Sequence, residues 1–285
     1  MQSTNYHKSI IDYYEASENA YKDAWDLGKS MAIHYGYWDK NVKSFPQSLQ
    51  RMNEVMAEAG RLKAGDVVLD AGCGVGGSSI FLAAQVGCKV IGVTLSEKQA
   101  EQAKQNAIRK NISDSVAFKA MDYCNTGFPN ESFDVVWGCE SICYAENKEQ
   151  FIKEAFRLLK RGGKLVIADG FVTKYENNDH PIIRQWLDDW QVNYLETMPR
   201  FCGFMQRFGF NNIRFTDISV FTDHSSRRLY RFYYLASLYL WWKKLTSKRK
   251  FSDMQRKNVQ ACKYQYVGMK KKLWQYGLIV GEKPK

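Results

Sequence analysis

An α/β fold, built on a seven-stranded, mostly parallel, doubly wound sheet with helical cap insertions, is what this sequence predicts, on three observations. From Val67 onward, short apolar runs alternate with amphipathic stretches in the order strand, helix, strand, which is the pattern of a parallel sheet with helices on both faces. The run Val67 to Leu69 passes into Gly72, Gly74 and Gly76, where the backbone can turn tightly against a ligand before a helix starts near Ser78. The chain has 285 residues, 45% of them hydrophobic and 14% aromatic, enough to bury a substantial core.

Taken in order, Ser9 to Trp25 carries Ile10, Tyr13, Tyr14, Ala20, Tyr21 and Trp25 at helical spacing and predicts an amphipathic covering helix. The aromatic cluster His34, Tyr35, Tyr37 and Trp38 bends at Gly36, and Leu49, Met52, Val55, Met56 and Ala59 stripe a second helix over Ser48 to Ala59. The alternating part then gives strands at 67–70, 89–93, 116–120, 133–137 and 165–168, with helices at 78–86, 97–110 and 148–160. Beyond Phe171 the alternation loosens: Met198 to Phe208 predicts a helix stopped at Gly209, Ile213 to Val220 a strand, and Leu278 to Val280 a last short strand. The expected organisation is a helical cap over residues 1–60, a cofactor-binding core over 61–173, and the rest of the sheet over 174–285, interrupted by cap insertions at 174–195 and 225–276.

Charge is unevenly spread. From His224 to Lys285 there are 16 Lys and Arg against two acids, a net +14 in a chain of net +11, which leaves the first 223 residues at about −3. Within that region Leu229 to Trp242 is rich in aromatics and ends on Lys243-Lys244; it is too short and too polar to span a membrane, and either lines a greasy pocket or lies on an anionic membrane surface. Association into a homo-oligomer through the insertion stays open. Seven cysteines, an odd number with no Cys-x-x-Cys pair, and a polar start over Met1 to Ile11 predict reduced thiols and a cytoplasmic protein, either free or peripheral to a membrane. No residues near the expected site show metal-ligand spacing.

Ligands on parallel sheets bind outside the carboxyl ends of the strands, so Asp70, Thr94, Asp122, Glu140 and Asp169 are expected to face one crevice. Asp70, immediately before the glycines, suits a cationic amino-acid ligand and would repel a pyrophosphate; the lysine of a P-loop is absent too.

With these residues in view, the sequence resembles the class I S-adenosylmethionine-dependent methyltransferases, which have a Rossmann-like fold. Asp70 to Gly77 is similar to their cofactor signature, Gly92 to Gln99 to their second-strand loop, Met121-Asp122-Tyr123 to their adenine-side acid, and Arg157 to Gly163 to the turn before strand five. His34 to Trp38, the Gly-Val-Thr-Leu-Ser loop and Trp137 to Ser141 resemble the branch holding tocopherol, sterol C-24 and prenyl-diphosphate methyltransferases, with cyclopropane fatty acid synthases as more distant relatives. The resemblance runs over about residues 33–219 and implies S-adenosylmethionine as cofactor, S-adenosylhomocysteine as product and a hydrophobic acceptor. It further implies that Gly72, Gly74 and Gly76 approach the methionine part, with Asp70 near the amino group. Thr94 takes the place of the usual ribose-binding acid, flanked by Leu95 and assisted by Gln99, and Asp122 meets the adenine amino group with Tyr123 alongside. Tyr144 stands where the tocopherol-like branch commonly has a histidine.

Glu140 is the residue on which catalysis is expected to turn, because it follows strand four where the reactive methyl should point. In methylation of an alkene a carbocation forms, and a nearby carboxylate stabilises it or takes its proton. The faces of Tyr35, Tyr37 and Trp38 can add cation–π attraction of about 0.5–2 kcal/mol each. An amine or phenol acceptor in N- or O-methylation needs mainly alignment and a base, for which Glu140 or His34 would serve. Two rivals are a non-catalytic binder docking on nucleic acid or membrane and a nucleic-acid methyltransferase. The intact glycines and Asp122 argue against the first, and the absence of an Asn/Asp-Pro-Pro-Tyr loop at Glu140 to Tyr144 argues against the second; among small-molecule acceptors, the resemblance implies an isoprenoid, sterol or lipid-like one, with C-methylation favoured.

Overall fold

The computed structural model describes residues 5–25, 31–246 and 252–285. The expected helix positions Ala20, Tyr21 and Trp25, the pair Lys243-Lys244, and the basic Lys248, Arg249 and Lys250 have side chains outside that description, as does the start of the polar leader at 1–4.

Seven strands form one sheet: β1 (Val67–Ala71), β2 (Lys89–Thr94), β3 (Val116–Ala120), β4 (Phe133–Cys139), β5 (Leu159–Val172), β6 (Asn211–Asp217) and β7 (Trp274–Glu282). Their spatial order is β3-β2-β1-β4-β5-β7-β6; the pairs up to β5 are parallel, and β7 runs antiparallel to both β5 and β6. Chain order reverses between β1 and β4, so the crevice at their carboxyl ends is the switch point where such sheets bind ligands. Both faces of the central strands are apolar, as burial on two sides requires. Val68, Val135 and Val166 join the core on one face, while Leu69, Val136, Leu165 and Ile167 join the core on the other.

The helices follow local chemistry. α1 (Asn5–Trp25) lies across the crevice, with Ile10 and Tyr13 buried. α2 (Phe45–Gly60) starts where the Ser44 side chain accepts from the Gln47 amide, with Pro46 in the first turn, and ends where Arg61 turns left-handed; its stripe of Leu49, Met52 and Met56 is sealed into the core. α3 (Gly77–Phe81) runs into a π-helical turn at Leu82–Val86, and α4 (Glu97–Arg109) begins at a Ser96 cap. α5 (Lys148–Leu158), α6 (Pro181–Asp189) and α7 (Met198–Arg207) each start at a side-chain cap, Asn147, His180 and Thr197 in turn. The 225–276 insertion holds two helices, α8 (Ser219–Thr246) and α9 (Asp253–Lys270), and α9 opens with a Ser252–Gln255 capping box.

Several expected boundaries move, among them β5 and β7, which are longer than expected, and two others have a visible cause. The strand placed at Ile213 to Val220 is Asn211–Asp217, because the Asp217 carboxylate accepts from the Ser219 amide and hydroxyl and so starts α8. The helix placed at 148–160 ends at Leu158, since Leu159 already pairs with Phe133 in the sheet.

Candidate active site

The glycine turn between β1 and α3 is built by conformations that a side chain would oppose. Gly72 and Gly76 have φ of 92° and 91°, and a Cβ on Gly72 would come within 2.3 Å of the Ser141 Cβ. Gly74, at φ 52°, has nothing within 4 Å of where a Cβ would be, so the backbone there faces open space. That space is a cavity of about 900 Å³, lined among others by Asp70, Gly74, Thr94, Gln99, Tyr123 and Glu140.

Its chemistry is that of a cation site. Among the described residues the lining holds two carboxylates, Asp70 and Glu140, and no Lys or Arg. Burial pushes the Asp70 carboxyl up to about 6 even though Ser79 donates to it at 2.6 Å, and a positive ligand beside it would offset that effect of burial. Thr94 donates to the Gln99 side chain at 2.7 Å, which fixes both on the floor beside Leu95. Tyr123 donates to the Ser141 carbonyl at 2.7 Å and presents its ring to the cavity. A glycine cradle, buried acids and a polar floor without cations fit a sulfonium nucleoside carrying an amino group, and disfavour a dinucleotide pyrophosphate.

Glu140 sits just past β4 with φ 49°, left-handed for a residue with a side chain, and its amide is held by the Ala168 carbonyl at 2.8 Å. Its Oε1 accepts from the Tyr35 amide at 2.5 Å and from the Tyr276 hydroxyl at 2.6 Å. Burial pushes its carboxyl up to about 8 against those two donors, with nearby Asp169 adding to the rise. Asp169 is itself raised by burial and accepts from the Cys143 and Gly170 amides.

A second cavity, of about 740 Å³, adjoins the first, and Tyr14, Ile33, Glu140 and Tyr144 line both. Its other walls are mostly apolar or aromatic, with Tyr35, Trp186, Trp190, Leu229, Trp274 and Tyr276 among them. Tyr35 and Tyr276 meet edge-on at 5.7 Å, and burial holds both phenols far above their ordinary range, so they stay donors. The start of α8 thus lines a pocket through Leu229, whereas its far end does not.

Of the expected site residues, the crevice gathers Asp70, Gly72, Gly74, Thr94, Leu95, Gln99, Tyr123, His34, Tyr35 and Glu140. Four others lie elsewhere. Gly76 does not line the cavity; its φ and the contact of a Cβ with Ala103 and Phe118 at 3.0 Å assign it to packing α3 against α4 and β3. Asp122 accepts from the Cys124 amide at 2.8 Å and lies 3.9 Å from the His7 ring, capping a turn rather than lining the cavity. Tyr37 stacks on Phe221 at 4.3 Å, and Trp38 donates to Ser225, both outside the two cavities. Tyr14, Tyr276 and Trp186 went unforeseen as site residues; Tyr276 reaches Glu140 because β7 pairs with β5, placing it opposite Gly170, which no local pattern announces.

The sheet order and the glycine turn at its switch point are those of the class I methyltransferase fold. Residues 69–167 match the family model described as a methyltransferase domain. It is 34% identical over 151 residues to the 27-O-demethylrifamycin SV methyltransferase of Amycolatopsis mediterranei, an alignment covering 53% of this chain and 56% of the relative. It is 33% identical over 176 residues to the sterol 24-C-methyltransferase of Saccharomyces cerevisiae, covering 60% of this chain and 46% of that one. The chain therefore spans about half the length of these curated relatives. The geranyl diphosphate C-methyltransferase of Streptomyces coelicolor A3(2), solved with geranyl diphosphate and S-adenosyl-L-homocysteine, superposes with a TM-score of 0.76 at 20% identity over 99% of both chains, a likeness of fold.

Proposed function

We propose that the protein is an S-adenosylmethionine-dependent methyltransferase that acts on a small, largely hydrophobic acceptor of isoprenoid, sterol or lipid-like kind, with Glu140 as catalytic base. The observation that carries this is the position of Glu140, whose carboxylate stands at the joint of a cation-suited chamber and an aromatic one. Asp70, Thr94, Gln99 and Tyr123 would hold the cofactor, whose chemistry, when bound, is an electrophilic methyl on a sulfonium.

The chain's own residues supply the rest. The second chamber holds the apolar acceptor with its reacting π bond toward Glu140 and keeps water out. As the new carbon–carbon bond takes the π electrons and the methyl–sulfur bond breaks, positive charge is left on the acceptor. Tyr35, Tyr276 and Trp274 face it with their rings. Loss of a proton to Glu140 then restores the double bond, and the Tyr35 amide and Tyr276 hydroxyl hold the carboxylate oriented throughout. The test is to incubate the protein with labelled S-adenosylmethionine and a panel of sterols, prenyl compounds, polyketides and small polar amines. The expected result is methyl mass gained by at least one apolar acceptor; transfer confined to small polar amines would overturn the reading.

One observation favours O- or N-methylation as a second reading. His34 is buried, its Nδ1 donates to the Tyr35 carbonyl at 2.9 Å, and its Nε2 has no partner among the described residues. Burial lowers its pKa, so the free Nε2 is a neutral base on the wall of the cofactor chamber. With a phenolic acceptor, His34→Asn would remove most turnover; with an alkene it would leave turnover within about threefold, since another group is the base.

The outer end of α8 supports a place on an anionic membrane surface. Tyr234, Leu235, Leu238, Tyr239, Trp241 and Trp242 are half or more exposed in a region of strongly basic sequence. No helix among the described residues is long and apolar enough to cross a membrane. Sedimentation with phosphatidylserine-containing vesicles should carry the protein down, and Trp241→Ala with Trp242→Ala should release it. A dimer in solution that buries this helix, with no vesicle binding, would contradict the surface role.

A further inference from the structure

Tyr35, which gives its amide to Glu140 and its ring to the acceptor chamber, lies in a segment without helix or strand between α1 and α2. Such a segment has no hydrogen-bond ladder of its own, so its place depends on what it is fastened to. One fastening is near: the Tyr37 amide donates to the Ser48 carbonyl of α2 at 2.9 Å. Several come from far along the chain. The Gly36 amide and the Trp38 indole both donate to the Ser225 hydroxyl at 2.9 Å, and the Trp38 amide donates to the Phe221 carbonyl at 2.8 Å, both partners on α8. The Tyr35 hydroxyl donates to Oε1 of Gln265, on α9, at 2.7 Å.

Gln265 is fully buried, and its side-chain bonds leave it one orientation. Its Nε2 donates to the Ser226 carbonyl at 2.9 Å and to the Cys262 carbonyl at 2.8 Å, two groups that can only accept. The amide therefore cannot flip, and Oε1 must face the hydroxyls of Ser226, at 2.6 Å, and of Tyr35. The bonds to Ser226 and Cys262 stay within the α8–α9 pair and do what a buried amide between two helices must do, which is satisfy itself. The bond to Tyr35 leaves the pair and ends on the residue that touches Glu140. Gln265 lines neither cavity, so it reaches the site only through the residues it holds.

We propose that Gln265 is a positioning residue for Glu140: its hold on the Tyr35 hydroxyl sets the Tyr35 amide on the carboxylate and the Tyr35 ring in the chamber wall, so that a side chain outside both chambers orders the catalytic group. This rests on the methyltransferase reading with Glu140 as base, and deepens it. With its ring end tied to α9 and its carbonyl taken by His34 Nδ1 at 2.9 Å, Tyr35 has little freedom to turn its amide away from Glu140. That amide favours the ionised carboxylate against the effect of burial. The other titratable groups around Glu140 are Asp169 on β5, Tyr276 on β7 and the thiols of Cys139 and Cys143, none of which bonds to Gln265. A change at Gln265 that alters the titration of Glu140 thus travels by way of Tyr35.

The experiment reads Glu140 directly and needs no acceptor. The full chain is prepared with glutamate isotope-labelled at the side-chain carboxyl carbon, the Glu140 signal is assigned by its loss in Glu140→Gln, and its titration is followed by NMR. Gln265→Met, which keeps the length of the side chain and deletes the amide, should raise the Glu140 midpoint by about half a pH unit or more, because a donor that favours the carboxylate is loosened. Tyr35→Phe should shift it in the same direction, and the double variant should move it no further than Tyr35→Phe alone. A glutamine that only packs two helices would lower the melting temperature and leave the midpoint in place, and that result would overturn the proposal. So would a shift that Tyr35→Phe does not reproduce, or two shifts that add. If Gln265→Met does not fold, Tyr35→Phe decides alone, and an unmoved midpoint overturns the role. Calorimetry with S-adenosylhomocysteine separates the two levels: if the unaltered chain fails to bind it, the methyltransferase reading fails; if it binds and the midpoint is unmoved in the variants, the positioning role alone fails.

Discussion

The two chambers are built in opposite ways. The cofactor chamber draws Asp70, Gly72, Gly74, Thr94, Leu95 and Gln99 from one β-α-β-α stretch, whereas the acceptor chamber collects a few residues each from α1, the turn at Tyr35, the loop after β4, β5, α6, α8, α9 and β7. A contiguous stretch whose backbone itself contacts the ligand constrains its residue types one by one, so its chemistry is carried in local pattern. A chamber assembled from distant segments constrains only volume and polarity, which many residue combinations meet. Glu140 is the position where both demands fall on one side chain.

Substitution at that joint should have the largest effect. Glu140→Gln is expected to lower turnover by about 10²–10⁴-fold while S-adenosylhomocysteine affinity changes by less than threefold, measured by product assay and calorimetry on the same preparation. A parallel loss of both would mean that Glu140 belongs to the cofactor chamber alone. Next comes the cradle. In Gly72→Ala the new Cβ meets Ser141 and the φ of 92° disfavours a side chain, which costs about 1–2 kcal/mol and should weaken cofactor binding roughly tenfold or more without altering which acceptors are used.

The pH dependence sharpens the comparison further. Glu140 is neutral in the cofactor-free fold until its raised value of about 8, from an ordinary 4.5. Its contribution to stability is therefore intact below about 4.5 and is lost as pH rises through about 8, and Glu140→Gln should flatten that part of the stability profile. As a base it works ionised, so kcat/KM should rise with pH along a limb set by Glu140. Tyr276→Phe removes a donor that favours the carboxylate, and should shift the limb to higher pH. A shift to lower pH would contradict the hydrogen-bond assignment. The smallest effect is expected at Asp122→Ala: its carboxylate caps a turn outside the cavity, so cofactor affinity should stay within about threefold, and a much larger loss would return Asp122 to the adenine side.

What the sequence made legible follows the same division. The seven strands and most of the helices were readable because apolar runs are local, although α6 and α9 were not foreseen, and the strand ends at Asp70, Thr94 and Glu140 pointed to the crevice. Asp122 and Tyr37 lie outside the cavity linings for one reason: a residue type at the right sequence position does not fix where a loop turns its side chain. Asp122 bonds the amide two residues on, and Tyr37 finds a flat partner in Phe221. Tyr276 and the Trp186–Trp190 pair were invisible beforehand because their closeness to Glu140 depends on strand order and on how α6 packs against α9. The basic aromatic insertion divides in the same way, since its start lines the acceptor chamber and its end faces solvent.

The most direct measurement is calorimetric titration of the intact chain with S-adenosylmethionine and S-adenosylhomocysteine, repeated on Glu140→Gln. A first chamber built for a sulfonium nucleoside predicts one site per chain with dissociation constants of roughly micromolar order, about tenfold or more weaker for Gly72→Ala and nearly unchanged for Glu140→Gln. No detectable binding of either ligand up to about millimolar concentration would contradict it.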